Sequence, residues 1–113
     1  MKLIVAIIQP HKLEEVKGAL EAVNVNLMTV SNVLGQGRQK GYTEVYRGMR
    51  EAGGLLRKVR LDIAVSEDFV EKTIQAIVKG AHTGETGDGK IFVLDLQECV
   101  RIGTGERGPA AIG

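Results

Sequence analysis

Residues 3–8, LIVAII, form an unbroken apolar run rich in β-branched residues, which predicts a strand buried on both faces. Pro10 marks a break, and from Lys12 to Val23 the apolar positions Leu13, Val16, Leu20 and Val23 recur at helical spacing with Glu14, Glu15 and Lys17 between them. This is an amphipathic helix, and Pro10 suits its entry. Residues 27–34, LMTVSNVL, read as a second strand ended by Gly35. Residues 59–65, VRLDIAV, alternate, with Val59, Leu61, Ile63 and Val65 on one face and Arg60, Asp62 and Ala64 on the other, as a strand covered mainly on one side requires. Ser66 is placed to cap a helix, with Glu67 and Asp68 at its positive end, and Phe69, Val70, Thr73, Ile74, Ile77 and Val78 make a helical stripe ending near Ala81. Residues 90–96, KIFVLDL, predict a fourth strand, and CVRI at 99–102 a short fifth.

The order β-α-β, long gap, β-α-β predicts an α+β fold of the ferredoxin-like split βαβ kind (βαββαβ), an antiparallel sheet with two helices on one face. The gap, QGRQKGYTEVYRGMREAGGLLR at 36–57, carries glycine at 37, 41, 48, 53 and 54 and no sustained apolar period. Connections beyond roughly 12–15 residues are uncommon in compact domains and usually functional or disordered. A tolerated surface insertion is the plain reading of this one; an arm that touches partners is the sharper.

The chain has 113 residues, which sets the expectation of one domain over 1–113. Fifteen basic residues against 14 acidic leave a net charge of +1, so broad electrostatic binding of nucleic acid is not supported. Four aromatic residues and no tryptophan argue against a base-stacking platform. Cys99 is the one cysteine, which excludes an intrachain disulfide and fits a reducing compartment. The opening MKLIVAII is too short to span a membrane and lacks a cleavage site, so a cytoplasmic protein is expected.

Any anion site must then be local, and three glycine-plus-basic clusters offer one. TGETGDGKIFV at 83–93 lies between helix and strand, so it is not a P-loop, and G-x-G-x-x-G is absent. Yet Gly84, Gly87 and Gly89 can take positive φ and turn backbone N–H groups toward an anion, and Lys90 adds charge. A glycine-rich turn into a strand accounts for this stretch equally well. GQGRQKG at 35–41 and RIGTGERG at 101–108 repeat the composition, each at a strand end, and an oligomer would bring ends that point apart into one cleft. Catalysis finds little support. His11 and His82 lack metal-ligand spacing to each other or to Cys99 and read as surface or cap residues. Ser31 and Ser66 lack a nucleophile-elbow context, Glu44 and Glu51 sit on the long connection, and Cys99 reads as a small buried apolar residue in a strand.

These motifs resemble those of the PII nitrogen-regulatory signal-transduction family over essentially the whole chain. GRQKGYTEVYRG at 37–48 resembles the first half of that family's T-loop, TGETGDGKIFVL at 83–94 its B-loop and RIGTGE at 101–106 its C-loop. The resemblance places the T-loop at about 36–57, the B-loop at about 82–90 and the C-loop at about 101–109. It implies a homotrimer whose subunit clefts bind ATP or ADP competitively, with Mg2+ and ATP permitting 2-oxoglutarate to bind. It implies a regulator, not an enzyme, whose T-loop reports to nitrogen-regulatory targets such as an ammonium transporter, the membrane being met only through that partner. Carried over by residue, Gly87, Asp88, Gly89 and Lys90 would hold the phosphates, Gly35, Gly37, Arg38 and Gln39 would approach from the T-loop base, and Thr29, Asp62 and Ala64 would lie near adenine and ribose. Arg101 would reach across from a neighbouring subunit. Gln39 would complete the magnesium shell, Lys58 would pair with a 2-oxoglutarate carboxylate, Lys40, Gly41 and Gly87 would line the same small site, and Tyr46, Arg47 and Gly48 would meet the partner.

Departures from the family's pattern bear on these expectations. The family's usual glutamate is Asp62 here, and Gly103 stands where an arginine is expected at the outer phosphates, with Arg107 nearby as a substitute. The tyrosine uridylylated in many relatives is Glu51 and the serine phosphorylated in others is Met49, so control by that modification is not expected. The Gly53-Gly54 pair makes the second half of the loop unusual. Together these motivate an alternative, an adenylate sensor without a 2-oxoglutarate response, serving a transporter or pathway outside nitrogen control. A nucleotide phosphohydrolase and a metal-binding trimer of similar fold are weaker rivals, for want of an activated water and of ligand clusters.

Overall fold

The structure, a computed structural model, describes residues 1–36, 50–51 and 54–113. Along the chain run β1 (Lys2–Ile8), α1 (Leu13–Ala22), β2 (Thr29–Gly35), the two-residue β3 (Arg50–Glu51), β4 (Leu55–Val65), α2 (Val70–Ala81) and β5 (Gly89–Asp95). The strands pair antiparallel in the order β2-β4-β1-β5, with β3 also on β4. This is the ferredoxin-like arrangement expected from the sequence.

β1 is central because it is the most uniformly apolar strand. Its whole length pairs β4 on one side and β5 on the other, setting Ile4 opposite Ile63 and Val93, and Ile8 opposite Val59 and Gly89. Ile4, Ala6 and Ile8 join Val59, Leu61, Ile63 and Val65 on the face that the helices cover. Val16 and Leu20 of α1 and Ala76, Ile77 and Ala81 of α2 complete that core. At about 25 cal/mol per Å2, burying one side chain of Leu or Ile size contributes about 1.5–3 kcal/mol, so these paired stripes dominate the stability. Thr73 is fully buried on α2, and its hydroxyl donates to the Phe69 carbonyl at 2.7 Å, which removes the cost of an unpaired polar group. The helices approach closely at Gly80, where a Cβ would lie 2.7 Å from Val16 Cα.

The element ends depart from the sequence expectations in instructive ways. The first helix is preceded by a 3-10 turn at Pro10–Lys12 and ends at Ala22. Asn24, at φ 64°, closes it, and the Val25 N–H donates back to Leu20 O at 3.0 Å, as in a Schellman motif. β2 starts at Thr29 rather than 27, leaving Leu27 exposed. β4 starts at Leu55, four residues before the expected 59, because Leu56 and Lys58 are buried and pair with Gly35 and Val33. The doublets Leu55-Leu56 and Arg57-Lys58 break the alternation that marks a strand, so the start is invisible to pattern. Ser66 makes no side-chain cap; its carbonyl instead accepts from Phe69 N–H at the 3-10 turn Glu67–Phe69. Residues 99–102 form no strand of the sheet but a single bridge, Val100 to Arg107, and Cys99 is half-buried outside it.

Candidate functional site

β5 starts at a glycine that nothing else can replace. Gly89 has φ +113°, and a Cβ there would lie 1.8 Å from the Ile7 carbonyl oxygen of β1. The 83–88 loop therefore enters the sheet pressed against the end of β1. Its shape is fixed from within by Asp88. That carboxylate accepts from the backbone N–H of Thr83 at 2.8 Å and of Gly84 at 3.1 Å, and from the Thr83 hydroxyl. His82 Nδ1, at the C-terminal end of α2, lies 3.5 Å from the same carboxylate. Partial burial pushes the Asp88 carboxyl up, but the bonds from Thr83 and Gly84 outweigh it and hold the carboxyl below its ordinary range. Asp88 is thus a clasp: it spends its charge closing the loop.

The loop's outward product is the Gly87 carbonyl. Gly87 takes φ +103°, and its oxygen accepts from Gln9 Nε2 at 2.7 Å and from Lys58 Nζ at 3.3 Å. Lys58 is only 8% exposed. Burial lowers its pKa from the ordinary 10.5, and the Asp88 charge acts in the opposite sense. Gly35 packs on the Lys58 stem, where an added Cβ would lie 3.5 Å from Cγ. Among the described residues the Lys58 ammonium donates to one neutral carbonyl, and a buried cation so held is suited in charge to pair with an anion.

The open face of β4 leads away from this point. Lys58, Arg60, Asp62 and Ala64 alternate along it, spanning about 20 Å at about 3.3 Å per residue. Thr29 lies directly across from Asp62. The Arg60 guanidinium grips Asp62, with Nε at 3.2 and 3.1 Å from the two carboxylate oxygens and Nη2 at 3.0 Å from one of them. Lys90 is the exposed second residue of β5, on the same face as Ile7. On the helix side a shallow, mostly apolar groove of about 240 Å3 lies between α2 and β5, bordered by Val78, Ile91, His82 and Lys90.

The structure therefore brings Gly35, Lys58, Gly87, Asp88 and Gly89 together, and separately Thr29, Asp62 and Ala64. The 101–108 cluster folds on itself. Arg101 donates to Glu106 Oε1 at 3.0 Å, to Gly113 O at 2.7 Å and to Ala110 O at 3.4 Å. Arg107 pairs with Glu98 at 3.3 Å, while a Cβ at Gly103 would meet nothing within 4 Å. Gly37, Arg38, Gln39, Lys40, Gly41, Tyr46, Arg47, Gly48 and Met49 lie outside the described residues. No group of three or more His, Cys, Asp and Glu capable of holding a metal occurs among the described residues. Sequence reasoning missed Gln9, Thr83 and Arg60. Gln9 carries no motif, and only the antiparallel register of β1 with β5, which ends at Ile8 opposite Gly89, delivers it to the glycine loop.

Comparison with known proteins adds an independent line. The profile of the nitrogen regulatory protein P-II family matches residues 1–106. The chain is 53% identical over 112 residues to nitrogen regulatory protein P-II 2 of Methanothermobacter thermautotrophicus, covering 99% of this chain and 97% of that one. It is 47% identical over 112 residues to nitrogen regulatory protein P-II of Rhizobium etli, and 46% identical over the same length to nitrogen regulatory protein GlnK of Escherichia coli, covering 99% of this chain and 100% of each relative. Among solved structures it is similar to Arabidopsis thaliana PII bound to citrate, with a TM-score of 0.81, 36% identity, and coverage of 98% of this chain and 88% of that one.

Proposed function

The chain belongs to the nitrogen regulatory protein P-II family, and on that premise we propose that this signal-transduction regulator binds ATP or ADP competitively and, with Mg2+ and ATP, senses 2-oxoglutarate. The observation that carries the reading is Lys58, a buried ammonium at the foot of the long 36–57 connection that donates to the Gly87 carbonyl of the glycine loop. Phosphates bound at Gly87–Lys90 and a carboxylate bound at Lys58 are then neighbours, so each ligand alters the other's site.

In this reading the open face of β4 lays the nucleotide out lengthwise. Thr29, Asp62 and Ala64 lie toward adenine and ribose, and the glycine loop with Lys90 lies toward the phosphates. Gln39 would complete the magnesium shell with ligand oxygens, the ion serving to offset phosphate charge. Gly35, Gly37, Arg38, Lys40 and Gly41 would meet the ligands from the start of the connection. Arg101 would reach the nucleotide of a neighbouring subunit in a homotrimer. Citrate on the Arabidopsis relative supports a carboxylate ligand in this fold. Ligand occupancy would change the population of connection conformers able to dock, through Tyr46, Arg47 and Gly48, on a nitrogen-regulatory target such as an ammonium transporter, and a differential of about 1–3 kcal/mol suffices for such a switch.

Calorimetry on Lys58→Met tests this division of labour. The variant should keep adenylate binding and lose 2-oxoglutarate binding; retained 2-oxoglutarate affinity would refute the role given to Lys58. A second reading, an adenylate sensor indifferent to 2-oxoglutarate, draws on Gly103 and Arg107. The latter is paired with Glu98 at 3.3 Å, so the segment offers the outer phosphates less positive charge than an arginine at 103 would.

A further inference from the structure

Among the described residues, the Gly87 carbonyl has two donors of unequal quality. Gln9 Nε2 approaches to 2.7 Å, while the charged Lys58 Nζ stands off at 3.3 Å. A charge-assisted bond is ordinarily the shorter of two, near 2.7–2.9 Å. Here the neutral amide holds the oxygen and the ammonium is left loosely engaged. Gln9 can do this because it follows the last paired residue of β1 and is half-buried beside the loop. Asp88 holds the loop from the other side through Thr83 and Gly84.

We propose that Gln9 is a positioning residue that keeps Lys58 available to an anion by satisfying the Gly87 carbonyl in its place. The Lys58 ammonium has three N–H donors, but a carboxylate that draws it toward itself weakens its already long bond to the half-buried Gly87 carbonyl. With Gln9 present that carbonyl still has the better donor. Without Gln9, drawing the Lys58 ammonium away would leave the half-buried carbonyl with neither donor, at part of the cost of an unpaired buried acceptor. Gln9 therefore never touches the anion yet sets its affinity. The inference rests on the proposed carboxylate site at Lys58.

The test compares wild type with Gln9→Met, which keeps the length of the side chain and removes both N–H donors, and with Gln9→Lys, which keeps a donor of similar reach. Each is titrated with 2-oxoglutarate in Mg-ATP, with ATP affinity alone serving as the check on folding. The expected result is about a tenfold weakening or more for Gln9→Met and no weakening for Gln9→Lys. Solvent exchange of the Lys58 ammonium protons, followed by 15N NMR without ligand, gives a readout independent of 2-oxoglutarate. Exchange should slow in Gln9→Met, where Gly87 has Lys58 as its remaining donor of the two. Equal 2-oxoglutarate affinity in wild type and Gln9→Met, or unchanged ammonium exchange, would overturn the role of Gln9. Failure of wild type itself to bind 2-oxoglutarate, with slowed exchange in Gln9→Met, would overturn the carboxylate reading while leaving the competition for Gly87 intact.

Discussion

At the residue scale, two positions decide how the site treats charge. Asp88 turns what would be a phosphate-repelling carboxylate into an internal fastener. Its folded pKa lies below the ordinary 3.8, the bonds from Thr83 and Gly84 outweighing burial. A depressed carboxyl stabilises the loop fully above its unfolded value, and that contribution is lost as pH falls through the folded one. The Thr83 and Gly84 amide resonances should accordingly titrate together below pH 3.8; a midpoint at or above that value would contradict the clasp. Gly103 acts in the opposite direction, by omission. Nothing lies within 4 Å of the place where its Cβ would stand, so an arginine fits without clash. Gly103→Arg should raise ATP affinity relative to ADP by roughly ten- to a hundredfold, the size of one charge-assisted phosphate contact. Equal ATP-to-ADP ratios for the two proteins by calorimetry would show that position 103 does not face the outer phosphate. Gly87, Gly89 and Lys90 were legible in the sequence because glycine and lysine announce themselves by type. Gln9 was not, since its partner is a backbone carbonyl supplied 78 residues away.

At the element scale, the glycine loop is anchored at both of its ends. α2 is pinned to α1 at Gly80, and β5 is pinned to β1 at Gly89. A Cβ at Gly80 would press on Val16 Cα at 2.7 Å and Glu15 O at 3.0 Å, backbone atoms that cannot rotate away. On propensity alone Gly80→Ala should stabilise the helix by up to about 1 kcal/mol. The close approach reverses the sign, and a net loss of about 1–3 kcal/mol is expected in urea unfolding; a gain would mean that the helices part without cost. The helices and the later part of β4 were readable from period because each buries one continuous stripe, and β1 from its unbroken apolar run. The first third of β4 was not, because Lys58 there is a buried cation in a position that pattern assigns to a polar loop. That misfit of local rule and tertiary setting coincides with the proposed anion site, as expected where function overrides consistency.

At the scale of the whole molecule, among the described residues the sheet has one face under helices and one without. On the open face Phe92 and Leu94 of β5 are 49% and 48% exposed, beside Leu3 and Val5 of β1. Apolar side chains of this size on an uncovered sheet fit the interior of the homotrimer proposed above. Phe92→Glu should shift the molecular mass measured by sedimentation from trimer toward monomer, and a monomeric wild type would contradict the assembly. Such a face cannot be identified from alternation alone, since β1 is apolar on both sides and β5 nearly so. In the proposed function the Lys58 site and the glycine loop act as one linked sensor. Titrating 2-oxoglutarate calorimetrically into the protein saturated with Mg-ATP, and separately with Mg-ADP, tests it most directly. Binding with Mg-ATP and none with Mg-ADP is the result expected; no binding in either, with both adenylates still bound, would contradict it.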